Sequence, residues 1–339
     1  MVYRKISPSQ AAKKLQEMKV QCPNEDIDAF TGHIYMLAGD EKQAYENYMK
    51  ADVSKLDRGQ LNEFARCSYF TGHFADAPKA SEAGMKLFPR NPTFVRLAMF
   101  SNYELKNLDA AKGYINRYFN ETDSAKFSEY DHYYAALIYQ DLEDKANAYA
   151  QYEKALELVN DSSMIKRWAI LKSLSDSYAK DKNFDKAISC YQDYLACKPD
   201  LNSDDTEGLA KIYSKYADAD ESKKSEMIGK AIGVYREMAE KFPIQNIYSA
   251  YQCATLNNKL DKNAEKGLAK GDFQKVVDLL EGKTDRDKSE DTMLKYSYHY
   301  LMTYAFLYGK NKPLAKEYAA KILAIDPDYA PAVQIRDLK

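Results

Sequence analysis

The sequence predicts an all-α chain, a solenoid of about eight helical hairpins, and three observations carry that expectation. A small residue recurs as an anchor at Ala11, Ala44, Ala77, Ala111, Ala148, Ala187, Ala231 and Ala315, with Val276 in the same place. Four residues later stands an aromatic or aliphatic side chain at most of them (Leu15, Tyr48, Ile115, Tyr152, Tyr191, Tyr235 and Leu280), Ser81 and Ala319 being small. A proline falls twelve after the anchor five times, at Pro23, Pro89, Pro199, Pro243 and Pro327. Anchor separations run about 33, 33, 34, 37, 39, 44, 45 and 39 residues, so the unit is one helix pair with inserts.

Each part of the unit has a physical reason. Small residues at the anchor and twelve before it (Gly32, Ala65, Ala136) let antiparallel helices approach closely. The aromatic nine before (Tyr35, Tyr139, Tyr178, Phe306) fills the space beside them. Polar turns at Gly39-Asp40, Lys106-Asn107, Glu143-Asp144, Lys182-Asn183, Gly271-Asp272 and Lys310-Asn311 suit the end of one helix and the cap of the next. The prolines close the second helices, because proline cannot continue an interior helical ladder. One hairpin cannot bury both faces, so neighbours must stack.

In chain order, a partial repeat over 8–23 supplies only a second helix, with Ala11, Leu15 and Met18 at the anchor, plus-four and plus-seven places. Its first helix is missing, which implies that Met1 marks a trimmed start. Whole repeats follow over about 25–56, 58–89, 92–123, 128–160, 163–199, 205–243, 246–286 and 290–327. Their helix pairs are expected at 25–38 with 41–52, 58–71 with 74–87, 92–105 with 108–120, 128–141 with 145–159, 163–181 with 184–197, 205–217 with 223–241, 246–257 with 266–281, and 290–309 with 313–325. A capping helix over 328–338 covers the last apolar face with Ala330, Val333 and Ile335. Two repeats carry inserts, at 218–225 and 257–263, which read as decoration because loop-closure cost grows slowly with length.

This frame resembles the tetratricopeptide repeat (TPR) family, whose period is about 34. Leu260-Asp261 followed by Gly267-Leu268-Ala269-Lys270, with Leu97-Ala98-Met99 and the run from Asn102 to Lys106, is similar to long TPR proteins of Bacteroidota-type bacteria, and 29 tyrosines fit that composition. The resemblance implies one right-handed solenoid over 1–339. It also implies a periplasmic or cell-envelope location, since such relatives begin with an export signal.

Composition narrows the function. The chain has 339 residues, 29% of them charged, a net charge of −2 and a mean hydropathy of −0.63. No apolar run approaches the roughly 18 residues a membrane span needs, so this segment is not expected to insert. A pI of 6.2 leaves no electrostatic case for nucleic acid.

Candidates for chemistry fail one by one. Asp200, Asn202 and Asp204 start like a calcium loop, but the sixth position is Asp205 in place of glycine and the twelfth is Lys211 in place of glutamate. Gly282-Lys283-Thr284 ends like a phosphate loop, yet Val277 stands where the first glycine belongs. His33, His73, His132 and His299 lie in different repeats without ligand spacing. Cys22, Cys67, Cys190, Cys197 and Cys253 show no metal or redox spacing, and Cys190 and Cys197, seven apart on one helix, stand about 10 Å apart. They read as small packing residues. Unpaired thiols favour a reducing compartment, opposite to the exported relatives, so the compartment stays open between envelope and cytoplasm. No catalytic residue, cofactor or metal is expected, and the chain reads as a non-enzyme.

What remains is the concave groove. In the family's architecture the first helix of each hairpin lines it, at fifteen, eleven and eight before the anchor. Those positions are Asn62, Arg66 and Tyr69; Arg96, Phe100 and Tyr103; Tyr133, Leu137 and Gln140; Lys172, Asp176 and Ala179; and Tyr300, Tyr304 and Leu307. Aromatic and arginine side chains have the composition of interaction hot spots. The family's two-carboxylate clamp is not met, because Arg96 and Phe100, then Tyr133 and Leu137, follow Asn62 and Arg66. The expected function is a non-catalytic protein-interaction scaffold holding a peptide or extended partner segment in this groove. The alternative is an envelope-associated accessory protein that binds a glycan or small ligand, its tyrosines stacking on sugar rings.

Overall fold

A computed structural model describes residues 7–22, 26–122 and 127–338, and among them the chain is helical throughout, with no strand. The helices are α1 (Pro8–Lys19), α2 (Ile27–Ala38), α3 (Glu41–Tyr48), α4 (Arg58–Phe70), α5 (Ala77–Leu87), α6 (Pro92–Glu104), α7 (Leu108–Glu121), α8 (Glu129–Asp141), α9 (Lys145–Leu158) and α10 (Arg167–Lys180). They continue with α11 (Phe184–Cys197), α12 (Ser203–Ala219), α13 (Lys224–Lys241), α14 (Asn246–Leu260), α15 (Lys270–Leu280), α16 (Lys288–Leu307), α17 (Lys312–Ile325) and α18 (Ala330–Arg336). The chain divides into two compact units, one up to Ile170 and one from Leu171. Each is a stack of antiparallel hairpins, in which helices pack on their neighbours in sequence, as α8 does on α9 in the first unit and α12 on α13 in the second.

Helix starts follow from local chemistry. Capping boxes open α4 (Asp57 with Gln60), α8 (Ser128 with Asp131), α12 (Asn202 with Asp205) and α16 (Asp287 with Glu290), each satisfying two orphan N–H groups. Asn202, one of the calcium-like residues, is thus a helix cap. The hairpin turns are equally regular. Five before the anchor the backbone is left-handed at Gly39, Gly72, Lys106, Glu143, Lys182 and Lys310, with φ from 47° to 80°. Asp40, Asp144 and Asn311 then accept a backbone N–H and start the second helix.

The anchors form the keyed core. Ala44, Ala77, Ala111, Ala187, Ala231, Val276 and Ala315 are wholly buried and Ala148 almost so. Gly32 shows why the partner position is small: a Cβ there would stand 2.9 Å from the Tyr48 ring. In the first helix the frame is displaced by one, because Ala12 is the buried residue of α1 and Ala11 only half-buried. Pro23, expected to close α1, lies outside the described residues.

Several element ends differ from expectation. α3 stops at Tyr48 because Lys50 and Ala51 bond three residues back, tightening the chain toward a 3₁₀ turn at Val53–Lys55. α10 begins at Arg167, since Asn160 to Lys166 fold into a turn held by Asn160, Ser162 and Ser163. The insert near 218 is taken up by lengthening α12 and α13 to 17 and 18 residues. The expected turn at Gly271-Asp272 is helical instead, in the first turn of α15. Of the insert expected at 257–263, residues 257–260 extend α14, and the loop 261–269 wraps around Asp261, whose carboxylate accepts the N–H groups of Lys266 and Leu268 at 3.0 and 3.3 Å. No helix of the described residues is long and apolar enough to cross a membrane.

Candidate functional site

Within the first unit the helices α4, α6 and α8 open three successive hairpins and pack side by side. With the α9–α10 connection they enclose a cleft of about 390 Å³. Arg66, Tyr69, Arg96 and Phe100, four of the sequence-predicted groove residues, line it, joined by Phe70, Glu129, Tyr130 and Met164.

The floor is aromatic. Phe100 lies between Tyr69, Tyr130 and Tyr134, with ring centroids 5.9, 5.3 and 4.1 Å away. The Tyr69 and Tyr134 hydroxyls lie 2.7 Å apart, and Tyr134 donates to Glu104 at 2.7 Å. Burial raises both hydroxyls well above the usual tyrosine range, the bond between them adding to the rise at Tyr134 and offsetting part of it at Tyr69, so both stay protonated. Phe100 is only 2% exposed and Tyr69 8%. The expectation that these two rings stand free as groove anchors is therefore corrected: repeat-to-repeat packing claims the same helix face.

Arg96 is committed as well. Its guanidinium holds the wholly buried Asp131 carboxylate with two bonds of 2.6 and 2.7 Å and donates to the Tyr118 hydroxyl at 2.7 Å. Tyr118 and Ser128 donate to the same carboxylate, so Arg96 braces the start of α8. Arg66 differs: it is exposed and has no hydrogen-bond or ion-pair partner among the described residues. Beside it Phe70 is 49% and Met164 68% exposed. The cleft thus offers a cation and two apolar side chains above a rigid aromatic base.

The other predicted residues are dispersed. Asn62, Tyr103, Tyr133, Leu137, Gln140, Lys172 and Tyr304 are partly buried. Tyr152 donates to Gln140 at 2.9 Å, and Lys172 pairs with Asp176 at 3.0 Å. Lys106 lies over the Tyr103 ring, and Tyr304 packs on Gly267. Tyr300 is buried at 6% beside Phe273 in the second unit's core. The histidines are dispersed too: His33 meets Glu63 at 2.9 Å, while His73 and His132 stack on Tyr45 and Phe119. Cys67 and Cys253 are buried as packing residues, but Cys197 is exposed, and none of the five is in a disulfide. Phe70 and Met164 escaped the sequence reading. Phe70 falls outside the inward register, and Met164 lies in a turn where the spacing predicts helix.

Among solved structures the chain is similar to the C-terminal part of a TPR repeat-containing protein from Cytophaga hutchinsonii. The two are 19% identical with a TM-score of 0.59, covering 82% of this chain and 100% of the other. The chain has the tetratricopeptide repeat fold. A tetratricopeptide repeat protein from Parabacteroides merdae overlaps with 85% of this TPR chain and 99% of its own, at 17% identity and a TM-score of 0.46. YrrB, a TPR protein with an unusual peptide-binding site, covers 61% and is itself covered to 91%, at 19% identity and a TM-score of 0.36. No protein-family model matches the sequence, and no curated protein matches it.

Proposed function

We propose that this TPR chain is a non-catalytic scaffold and that the cleft between α4, α6 and α8 holds an extended segment of a protein partner. The observation that carries the reading is the unpartnered Arg66 flanked by the exposed side chains of Phe70 and Met164, over a base that Phe100 and Tyr69 make rigid. A pre-formed base lowers the ordering cost of binding, and exposed aromatic and arginine side chains supply the anchors. A volume of about 390 Å³ suits one or two side chains of an extended segment, not a folded domain. The matching chemistry is a large apolar side chain next to an acidic one.

Short random peptides selected on the intact chain test this. Selected sequences are expected to pair an acidic residue with a large apolar neighbour. Arg66→Ala and Phe70→Ala are each expected to weaken them by about 1–2 kcal/mol, the scale of interface anchors. Peptides that bind both variants normally would contradict the reading.

A further inference from the structure

The second unit carries a cleft of its own, about 480 Å³, between α14 and α16, within the roughly 300–1,000 Å³ of small-ligand sites. Its walls follow helical spacing. Tyr251, Thr255 and Asn258 come from one face of α14, and Tyr296, His299, Tyr300, Thr303 and Leu307 from one face of α16. Phe273 of α15 forms the base, tilted against Tyr300 at 4.7 Å and edge-on to Tyr251 at 6.2 Å. The insert closes one end with Lys262, Asn263 and Ala264, so the segment read as decoration builds part of the wall.

Two features tell what would occupy it. The first is a surplus of unmet hydrogen-bonding capacity. His299 Nδ1 is buried without a partner, and the half-buried Asn258 and Thr303 and the exposed Asn263 make no side-chain hydrogen bond among the described residues. A buried ring nitrogen is normally paired, so His299 Nδ1, with further unmet amide and hydroxyl groups on the wall of the same cavity, points to a polar occupant. The second is neutrality. Lys262 is the one formally charged lining residue, and burial lowers the pKa of His299, which keeps the imidazole uncharged at neutral pH. Tyr296, at 44% exposed, and Tyr308, at 36%, leave ring surface at the mouth.

We propose that this cleft binds a neutral polyhydroxylated ring, a pyranose sugar, with its C–H face on Tyr296 and Tyr308 and its hydroxyls on Asn258, Asn263 and Thr303. A sugar is the ligand class that presents an apolar face and a rim of uncharged donors and acceptors together. An anionic ligand would find only Lys262, and a wholly apolar one would leave the polar rim unpaired.

The test uses the intact chain and a panel of neutral trisaccharides (maltotriose, cellotriose, mannotriose and chitotriose), read by saturation-transfer NMR and calorimetry. At least one is expected to bind. Tyr296→Ala and Asn258→Ala should each weaken it about tenfold, the size of one stacking or hydrogen-bonding contact, while Arg66→Ala in the other unit binds it as the parent does. Tyr296 is exposed, so its loss should leave the helical circular dichroism and melting temperature in place; Thr303→Val provides a second probe should Asn258→Ala lose structure. Failure of all four sugars to bind overturns the proposal, as does binding that survives Tyr296→Ala and Thr303→Val together. Neither result bears on peptide binding in the first unit.

Discussion

The Tyr191 hydroxyl occupies the space a Cβ on Gly208 would need, and from there it donates to the Asp205 carbonyl at 2.9 Å. This contact locks α11 of one repeat onto α12 of the next. Alanine at position 208 would gain roughly 1 kcal/mol of helix propensity. Displacing a buried tyrosine and its hydrogen bond costs more, so Gly208→Ala is expected to destabilise the chain by roughly 1–3 kcal/mol net. Urea unfolding measures it, and Tyr191→Ala should remove most of the Gly208→Ala penalty. A more stable single variant would contradict the contact.

The anchors make the same prediction inside one hairpin. Ala148 is 1% exposed. Ala148→Leu should force α8 and α9 apart and lose roughly 1–3 kcal/mol through overpacking, seen as a lower denaturation midpoint. No shift in the midpoint would mean that the repeat frame is misplaced there.

Arg96 gives a larger effect. Arg96→Ala would leave the Asp131 carboxylate wholly buried without its bidentate partner, a loss of roughly 3–5 kcal/mol. Arg96→Lys should recover only part of it, because an ammonium cannot make the paired fork. Equal stability for the lysine variant and the parent would show that the fork geometry carries no weight.

These residues also show what the sequence makes legible. The hairpin frame is readable because the anchors are small for a steric reason that repeats, and the caps because Asp57-Gln60 and Asp287-Glu290 are local in the chain. The site is less readable. Arg96 and Asp131 are 35 residues apart, and nothing local to either announces the pair. Phe100 has the register of a groove residue, but in first helices that pack on each other that register also faces the next repeat. The insert was unreadable because Asp261 folds it onto its own backbone, a device without periodicity.

A pH dependence follows from Asp205. Burial raises its pKa, but hydrogen bonds from Lys198 at 2.5 Å, from Tyr194 and from the Asn202 N–H more than offset that, and its pKa is lowered. A lowered folded pKa contributes stability that is fully present above the ordinary aspartate value of about 3.9 and is lost as pH falls through the folded value. The stability gap between the parent and Asp205→Asn should therefore shrink on acidification from neutral pH to about pH 3. A gap that stays constant would contradict the linkage.

In the proposed binding mode the partner segment lies over Arg66, Phe70 and Met164, and site-specific photocrosslinking reads its position. A photoreactive residue is placed at Phe70 or Met164, and as a control at Leu87, which is 61% exposed on α5, outside the cleft. With a selected peptide, covalent adducts are expected from positions 70 and 164 and none above background from 87. Adducts from position 87, or from all three alike, would contradict it.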